Sequence, residues 1–214
     1  DAFRFPVSHE GDNDHRNYGL TFTGEWQLPL GQLTYIGSWR RDDAAIVAGS
    51  VDDVGGNFSG TGSDALIYCN ALTGFGCALL GFFSDEDSHS HELRFSASGV
   101  RWNAIGGLYL FDESNRSLFH VNPPGLAFDQ QRTRSRSQAL FGQFSYELTP
   151  LTRLTVGLRR THDEKSRIGA TRFATTLVGD QAIGGVVVGL NDADYSWNHT
   201  DWKVGLERDL GRAE

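Results

Sequence analysis

The chain has 214 residues, of which 39% are hydrophobic and 12% aromatic, and it carries a formal net charge of −8. That acidic balance argues against nucleic acid as a partner, because a phosphate backbone selects for a basic surface. No run of about 18 apolar residues is present, which excludes a helical membrane span. The 26 glycines and five prolines suit an all-β protein with many turns.

The sequence contains no methionine, and it opens on Asp1-Ala2-Phe3-Arg4. These residues have neither a start residue nor the basic and apolar regions of a signal peptide. We therefore expect the chain to be an internal piece of a longer protein or a processed product.

The first predicted hairpin begins at Tyr18. Apolar and polar residues alternate from Tyr18 to Leu28, then Pro29-Leu30-Gly31 makes a turn, and the alternation resumes until about Asp42. A period of two with one apolar parity is typical of a strand whose two faces meet different surroundings.

Asp43 to Asp87 is predicted to be a long loop, because it is dotted with glycine and shows no sustained alternation. It holds Cys69 and Cys77 in the segment CNALTGFGC. In an oxidising compartment these cysteines would close a disulfide, with Cα atoms roughly 4.4 to 6.8 Å apart. Two unpaired buried thiols are the alternative.

The third strand is predicted at Ser88 to Ala97 and the fourth at Trp102 to Glu113, joined by a turn at Ser98-Gly99. His89 and His91 fall on the same side of the third strand. Two imidazoles without a fixed third ligand are weak support for a metal site, so we interpret them as a solvated strand end. We predict no metal and no cofactor.

Asn115 to Thr133 is predicted to be the second long loop. The fifth and sixth strands follow within Ser135 to Ser166 and meet at Thr149-Pro150-Leu151-Thr152, where proline ends the ladder. A third long loop is predicted at Arg167 to Asp194, with a stretch GGVVVGL that could pair locally as a short hairpin arm. The last strand is predicted at Asp201 to Leu210.

About seven long strands therefore alternate between short turns and long loops, the asymmetry of a transmembrane β-barrel. The predicted fold is all-β, an antiparallel meander that forms part of such a barrel and an open curved sheet when isolated. The first and last strands are not expected to meet. Trp26, Trp39 and Trp202 are expected to point outward to lipid, and Trp102 and Tyr146 to join Trp26 in an interfacial girdle beside the short turns.

The polar parity of these strands carries charged side chains. It fits a watery lumen, but the solvent face of a soluble sandwich would show it as well, so parity alone leaves both open. No nucleophile elbow is present, and we predict no enzymatic activity and no catalytic residue.

Four segments resemble the barrel of the TonB-dependent receptors, the outer-membrane active transporters of Gram-negative bacteria. They occur in the family's order. The segments are WQLPLGQLTYIGSWRRDD, HELRFSAS with RWNAIGGLYLFDE, ALFGQFSYELTPLTRLTVGLRRTHDEKS, and TDWKVGLERDL.

The resemblance implies that residues 1–214 are one partial receptor barrel, from which the plug domain and the C-terminal strands are absent. It implies a place in the cell outer membrane, contact with its lipid, and uptake of a scarce nutrient such as a ferric siderophore. Energy would come from TonB through the missing plug region. Arg132, Arg134 and Arg136 alternate on one strand face and could attract an anionic cargo, or they could form a charged rim in water.

Two alternatives to this function remain open from the sequence. The chain could be a small complete outer-membrane barrel with a structural or adhesion role. It could also be a secreted all-β binding domain.

Overall fold

A computed structural model describes residues 12–48, 79–122 and 125–210, which form eight antiparallel strands in one sheet. The predicted disulfide between Cys69 and Cys77 lies outside the described residues. Among the described residues, no helix is long and apolar enough to cross a membrane. The strands are β1 Asp12–Leu28, β2 Gly31–Ala48, β3 Leu79–Ser98, β4 Trp102–Asn122, β5 Leu126–Thr149, β6 Thr152–Val178, β7 Gln181–Leu190 and β8 Ala193–Arg208.

The strands pair with their neighbours in the order of the chain from β1 to β7, and β8 pairs with β6. β6 is 27 residues long and pairs with two further strands on the same edge. Its first part pairs with β8 and its last part with β7. Within the described part of the chain, β1 pairs with β2 and β8 with β6, so the sheet is open. The predicted all-β meander is confirmed.

Parts of all three predicted loops turn out to be strand. β2 runs on to Ala48 and β3 begins at Leu79, where a loop was predicted from Asp43 to Asp87. β4 runs on to Asn122 and β5 begins at Leu126, where a loop was predicted from Asn115 to Thr133. The stretch GGVVVGL forms most of β7, a strand in addition to the seven predicted. It returns along β6 after a tight turn at Gly179-Asp180. In β5, alternation failed as a guide because the strand carries one extra residue between Asp129 and Arg132, so the side chains beyond it change faces.

The register places the apolar parities of all the long strands on one side of the sheet, here called the apolar face. Its large side chains are exposed, with 71% exposure for Leu20, 60% for Leu158 and 76% for Trp202. Together they form an apolar band: Tyr18, Leu20, Phe22, Trp26, Leu28, Leu93, Phe95, Trp102, Leu108, Leu110, Leu140, Phe144, Tyr146, Val156, Leu158, Trp202, Val204 and Leu206.

The opposite side, here called the polar face, is the more enclosed of the two. Ser145 and Thr155 are 5% exposed and Thr161 is 3% exposed. The hydroxyls of Ser145 and Thr155 lie 2.9 Å apart across β5 and β6. Small polar side chains that are shielded on one face, beside large apolar side chains exposed on the other, indicate a sheet that curves toward its polar face.

Aromatic rings mark both limits of the apolar band. At the end with the tight turns, Trp102 stacks on Phe144 and Phe144 on Tyr146, and Arg101 lies 5.3 Å above the Tyr146 ring. At the far end, Tyr18 contacts Trp39 edge to face with centroids 5.7 Å apart. This arrangement matches the aromatic girdles that flank a membrane-spanning band.

Beyond the band, the far ends of β4 to β7 curl over the apolar face and form a small structure, here called the outer roll. His120 on β4 reaches Thr175 on β6 across the small side chain of Ala127, with 3.0 Å between Nε2 and Oγ1. Backbone with positive φ at Ala174, Gly184 and Gly185 makes the sharp bend. The roll encloses Leu118, His120 and Ala127, all at most 2% exposed.

A charge placed in the apolar band should hinder assembly far more than the same charge on the polar face. We expect Leu158→Arg to destabilise the assembled protein by about 2 to 4 kcal/mol in a bilayer, as for barrel positions near the membrane midplane. The check is a urea titration in lipid vesicles, followed by the electrophoretic shift between folded and unfolded protein. Gln143→Arg, on the polar face of β5, is the control, and equal losses for the two variants would contradict the assignment of the faces.

Candidate functional site

The far half of the polar face presents aromatic rings beside cations. The Arg159 guanidinium lies 5.5 Å from the centroid of the Tyr109 ring, reaching across β5. Ala139 stands opposite Tyr109 on β5 and is 6% exposed, so its small side chain leaves room for this contact. Arg159 Nε also donates to Thr161 Oγ1 at 3.1 Å, which fixes the guanidinium over the ring.

A second aromatic pair lies on β8 of the same face. Tyr195 and Trp197 stack with centroids 5.6 Å apart and an interplanar angle of 26°. They stand opposite Lys165 and Asp163 in the register with β6. His199, one step along, has Asp163 within 3.6 Å of its Nδ1. The pair therefore offers a flat apolar surface bordered by both signs of charge.

Glu113 is the shielded carboxyl of this region. It stands opposite Ser88 on β3 and Ser135 on β5. Burial raises the pKa of Glu113, and the negative charge of Glu86 raises it further, while Lys165 and a hydrogen bond with Ser135 act in the opposite direction. Glu113 thus takes up a proton more readily than an ordinary glutamate.

Chemically, this arrangement suits the binding of a small molecule. Rings and guanidinium groups on one enclosed face can stack on and pair with a flat or anionic ligand. The groups lie on rigid strands of a single sheet, and they define a candidate binding surface made of Tyr109, Glu113, Arg159, Lys165, Tyr195 and Trp197.

The arginines predicted from the sequence lie on the other face. Arg134 and Arg136 share the apolar face with Asp112, their neighbour on β4. Arg134 binds Asp112 through two hydrogen bonds of 2.9 and 2.6 Å, and Arg136 Nε lies 3.2 Å from the same carboxyl. The Arg134 hydrogen bond holds the pKa of Asp112 below its usual range despite partial burial.

Arg132 stands opposite Ile168 on the same face, and within the described residues no carboxylate lies within ion-pair distance of it. The structure thus places Arg132, Arg134 and Arg136 together on the apolar face beyond the band, and contact with an anionic cargo stays a prediction.

Charged side chains also follow the apolar band on β1 to β3. Arg41 pairs with Asp85 at 2.8 Å and with Asp43 at 3.2 Å. The two histidines of β3 each have their own partner, Asp87 for His89 at 2.7 Å and the Tyr35 hydroxyl for His91 at 2.7 Å. We call the belt of charged side chains that follows the apolar band on this face the charged row. It comprises Asp14, Arg16, Arg41, Asp43, Asp85, Asp87, His89, Asp112, Arg116, Arg132, Arg134, Arg136, Arg160, His162, Glu164 and Asp194.

Tyr195 and Trp197 were missed because the last strand was predicted to begin at Asp201. The signal was present: carrying the alternation upstream from Lys203 and Asp201 puts His199, Trp197 and Tyr195 on the polar parity. The alternation could therefore have placed both rings on the polar face, opposite the apolar band.

Comparisons with known proteins bear on the fold. No family model matches the sequence, and no curated protein matches it either. Among solved structures, the chain is similar to the ferric yersiniabactin uptake receptor FyuA from Yersinia pestis, with a TM-score of 0.69 at 12% sequence identity. The likeness covers 94% of this chain and 27% of that receptor chain. The chain therefore has the fold of part of a receptor barrel and spans about a quarter of that protein's length.

The outer roll should weaken in mild acid. Burial lowers the pKa of His120 below its ordinary value of 6.5, and its hydrogen bond to Thr175 offsets this only in part. The folded state therefore holds neutral imidazole while the unfolded chain gains a proton, so the contribution to stability is full above about pH 6.5 and falls as the pH drops below that value.

Amide hydrogen exchange of residues 118–129 and 170–178, corrected for intrinsic rates, measures this effect. Protection in the outer roll should fall between pH 7.5 and pH 5.5, by up to about tenfold for each pH unit below the unfolded pKa of His120. His120→Gln, which cannot titrate but can still bond Thr175, should remove this dependence. His162 is exposed and bonded to Glu164, so His162→Gln serves as the control, and an unchanged pH dependence in His120→Gln would refute the assignment.

Proposed function

We propose that this chain is a segment of the wall of a TonB-dependent receptor, an outer-membrane active transporter that takes up a scarce nutrient, here a ferric siderophore. The observation that carries the proposal is the apolar band: one face of a single open sheet exposes a continuous belt of large apolar side chains. Such a face needs a hydrocarbon partner, because an apolar patch of this extent is not left in water.

The height of the band supports a membrane setting. From Tyr18 to Leu28 the chain takes ten steps along β1. At about 3.4 Å per residue and a tilt of about 40°, these steps span about 26 Å along the membrane normal. Outer-membrane barrels carry an apolar belt about 25 Å tall.

In this setting the polar face lines the barrel interior and the far ends of the strands project outside the cell. Tyr109, Arg159 and Trp197 would then meet a cargo as it enters, by stacking and charge pairing. Energy would reach the parent protein from TonB through a plug domain. The solved structure that the chain resembles is that of an uptake receptor, which supports a transport role over a catalytic one.

Two other functions receive less support. A small complete barrel needs its first and last strands to pair, and in the described part of the chain β1 and β8 leave their outer edges open. A soluble binding domain of the sandwich type needs a second layer over the apolar side chains, whereas the described strands form one sheet.

Uptake measurements test the proposal directly. Deletion of the gene that encodes this chain should abolish uptake of at least one radioiron-labelled ferric siderophore from a panel, and an uncoupler of the proton-motive force should do the same in the intact strain. The double variant Arg159→Ala/Trp197→Ala should lower the initial rate about tenfold, as expected for the loss of about 1.4 kcal/mol of cargo binding.

The matched control is Trp202→Phe, which keeps an aromatic ring on the apolar face and should leave the rate unchanged. Surface labelling of intact cells confirms that each variant reaches the outer membrane in equal amount. Uptake of every siderophore at the wild-type rate in the deletion strain would rule out the proposed function.

A further inference from the structure

A cavity opens on the apolar face beyond the band, at the mouth of the outer roll. Its lining comes from the far ends of β1 to β4 and from Asp180, in the turn between β6 and β7. Its volume is about 230 Å³. Pockets for drug-sized ligands measure about 300 to 1,000 Å³, so this cavity suits a smaller molecule.

Four side chains from two neighbouring strands form a square in the lining, here called the quartet. Asp85 on β3 stands opposite Arg116 on β4, and Phe83 stands opposite Leu118 in the next row. The two rows are about 7 Å apart along the strands. One row of the quartet is charged and the other is apolar, which matches a ligand with a charged head and an apolar body.

Asp85 and Arg116 stand opposite each other, yet each has its partner elsewhere. Arg41 donates to Asp85 Oδ2 at 2.8 Å, a bond that does not use Oδ1. Arg116 lies 3.7 Å from Asp180, whose side chain is 61% exposed, and an exposed pair at that distance contributes little. Within the described residues, no other carboxylate lies within ion-pair distance of Arg116. The quartet therefore offers an acceptor on β3 beside a donor on β4.

The other charges around the cavity satisfy one another. Arg16 bonds both oxygens of Asp14, at 3.2 and 2.6 Å, and Arg41 bonds both oxygens of Asp43 at 3.2 Å. Four carboxylates and two guanidinium groups line the cavity, which leaves a charge of −2: Asp14, Asp43, Asp85, Asp180, Arg16 and Arg116. A ligand with a negative charge alone would add to this excess. A ligand with a positive charge alone would leave the Arg116 donors unused.

We propose that this cavity binds a free α-amino acid with an apolar side chain. The ligand carboxylate accepts hydrogen bonds from Arg116, and its ammonium group donates to Asp85. Its side chain packs on Phe83 and Leu118. The site is separate from the candidate binding surface, which lies on the polar face, and it does not depend on the transport function proposed above.

The test uses the purified full-length protein that contains this chain, with L-leucine as the probe. Ligand-observed nuclear magnetic resonance titration up to about 10 mM detects dissociation constants in the millimolar range. Three matched ligands each lack one part of leucine: 3-methylbutylamine lacks the carboxylate, 4-methylpentanoate lacks the ammonium group, and glycine lacks the apolar side chain. Leucine should bind at least about tenfold more tightly than each of them.

Two variants that keep the side-chain size assign each contact to its residue. In Arg116→Gln, leucine and 3-methylbutylamine should bind within about twofold of each other, because the ligand carboxylate has lost its partner. In Asp85→Asn, leucine and 4-methylpentanoate should become equal for the corresponding reason. The controls are Arg136→Gln and Glu164→Gln, which remove charges of the charged row outside the cavity and should keep the wild-type preferences.

Several outcomes would overturn the proposal. Wild-type protein that binds 3-methylbutylamine as tightly as leucine would have a cation site, and equal binding of 4-methylpentanoate would show an anion site. Equal binding of glycine would remove the apolar contact, and no binding of leucine would remove the site. The comparison of the four ligands on the wild type decides the proposal even where a variant fails to fold.

Discussion

The hydrogen-bonded ladder between neighbouring strands is the constraint on which the rest of this structure depends. A soluble domain is held together by a core, but in the described residues the buried apolar side chains are few, namely Leu118, Ala127, Ala139 and Ala170. Every long strand is instead paired along nearly its whole length. In a hydrocarbon setting each unpaired backbone group would cost several kcal/mol, so the ladder decides both which strands form and how far they extend.

The hydrogen-bonded ladder sets the register of each strand pair, and the register decides which side chains share a face of the sheet. A slip of β6 by one residue against β5 would move Leu158 to the polar face and Arg159 to the apolar face, while Leu140 on β5 would stay on the apolar face. Trp102 on β4 stacks on Phe144 of β5, so a slip between these two strands would separate the rings. Such cross-strand contacts favour the register that keeps the apolar band and the candidate binding surface on opposite faces.

The sequence predicted the strands in which apolar and polar residues alternate without a break. The prediction failed where this alternation is interrupted. The hairpin from Ser135 to Ser166 was predicted correctly because its alternation has no interruption. The far end of β5 was missed because the extra residue beyond Asp129 exchanges the parities of this strand, so Ala127 and Asp129 share a face with Arg134. The partners of Arg134 and Arg136 could not be predicted either, because Asp112 becomes their neighbour only through the register between β4 and β5.

One face of the sheet thus meets three surroundings along its length: the apolar band, then the charged row, then the interior of the outer roll. The extra residue in β5 lies between the last two, and it interrupts the ladder to both neighbouring strands at the same level. Beyond it the roll depends on its own contacts, such as His120 with Thr175 and Arg116 with Asp180. Loss of those contacts removes no ladder bond from the band, since a bulge ends one run of pairing and begins another. The outer roll can therefore lose these contacts while the strands of the apolar band keep their register.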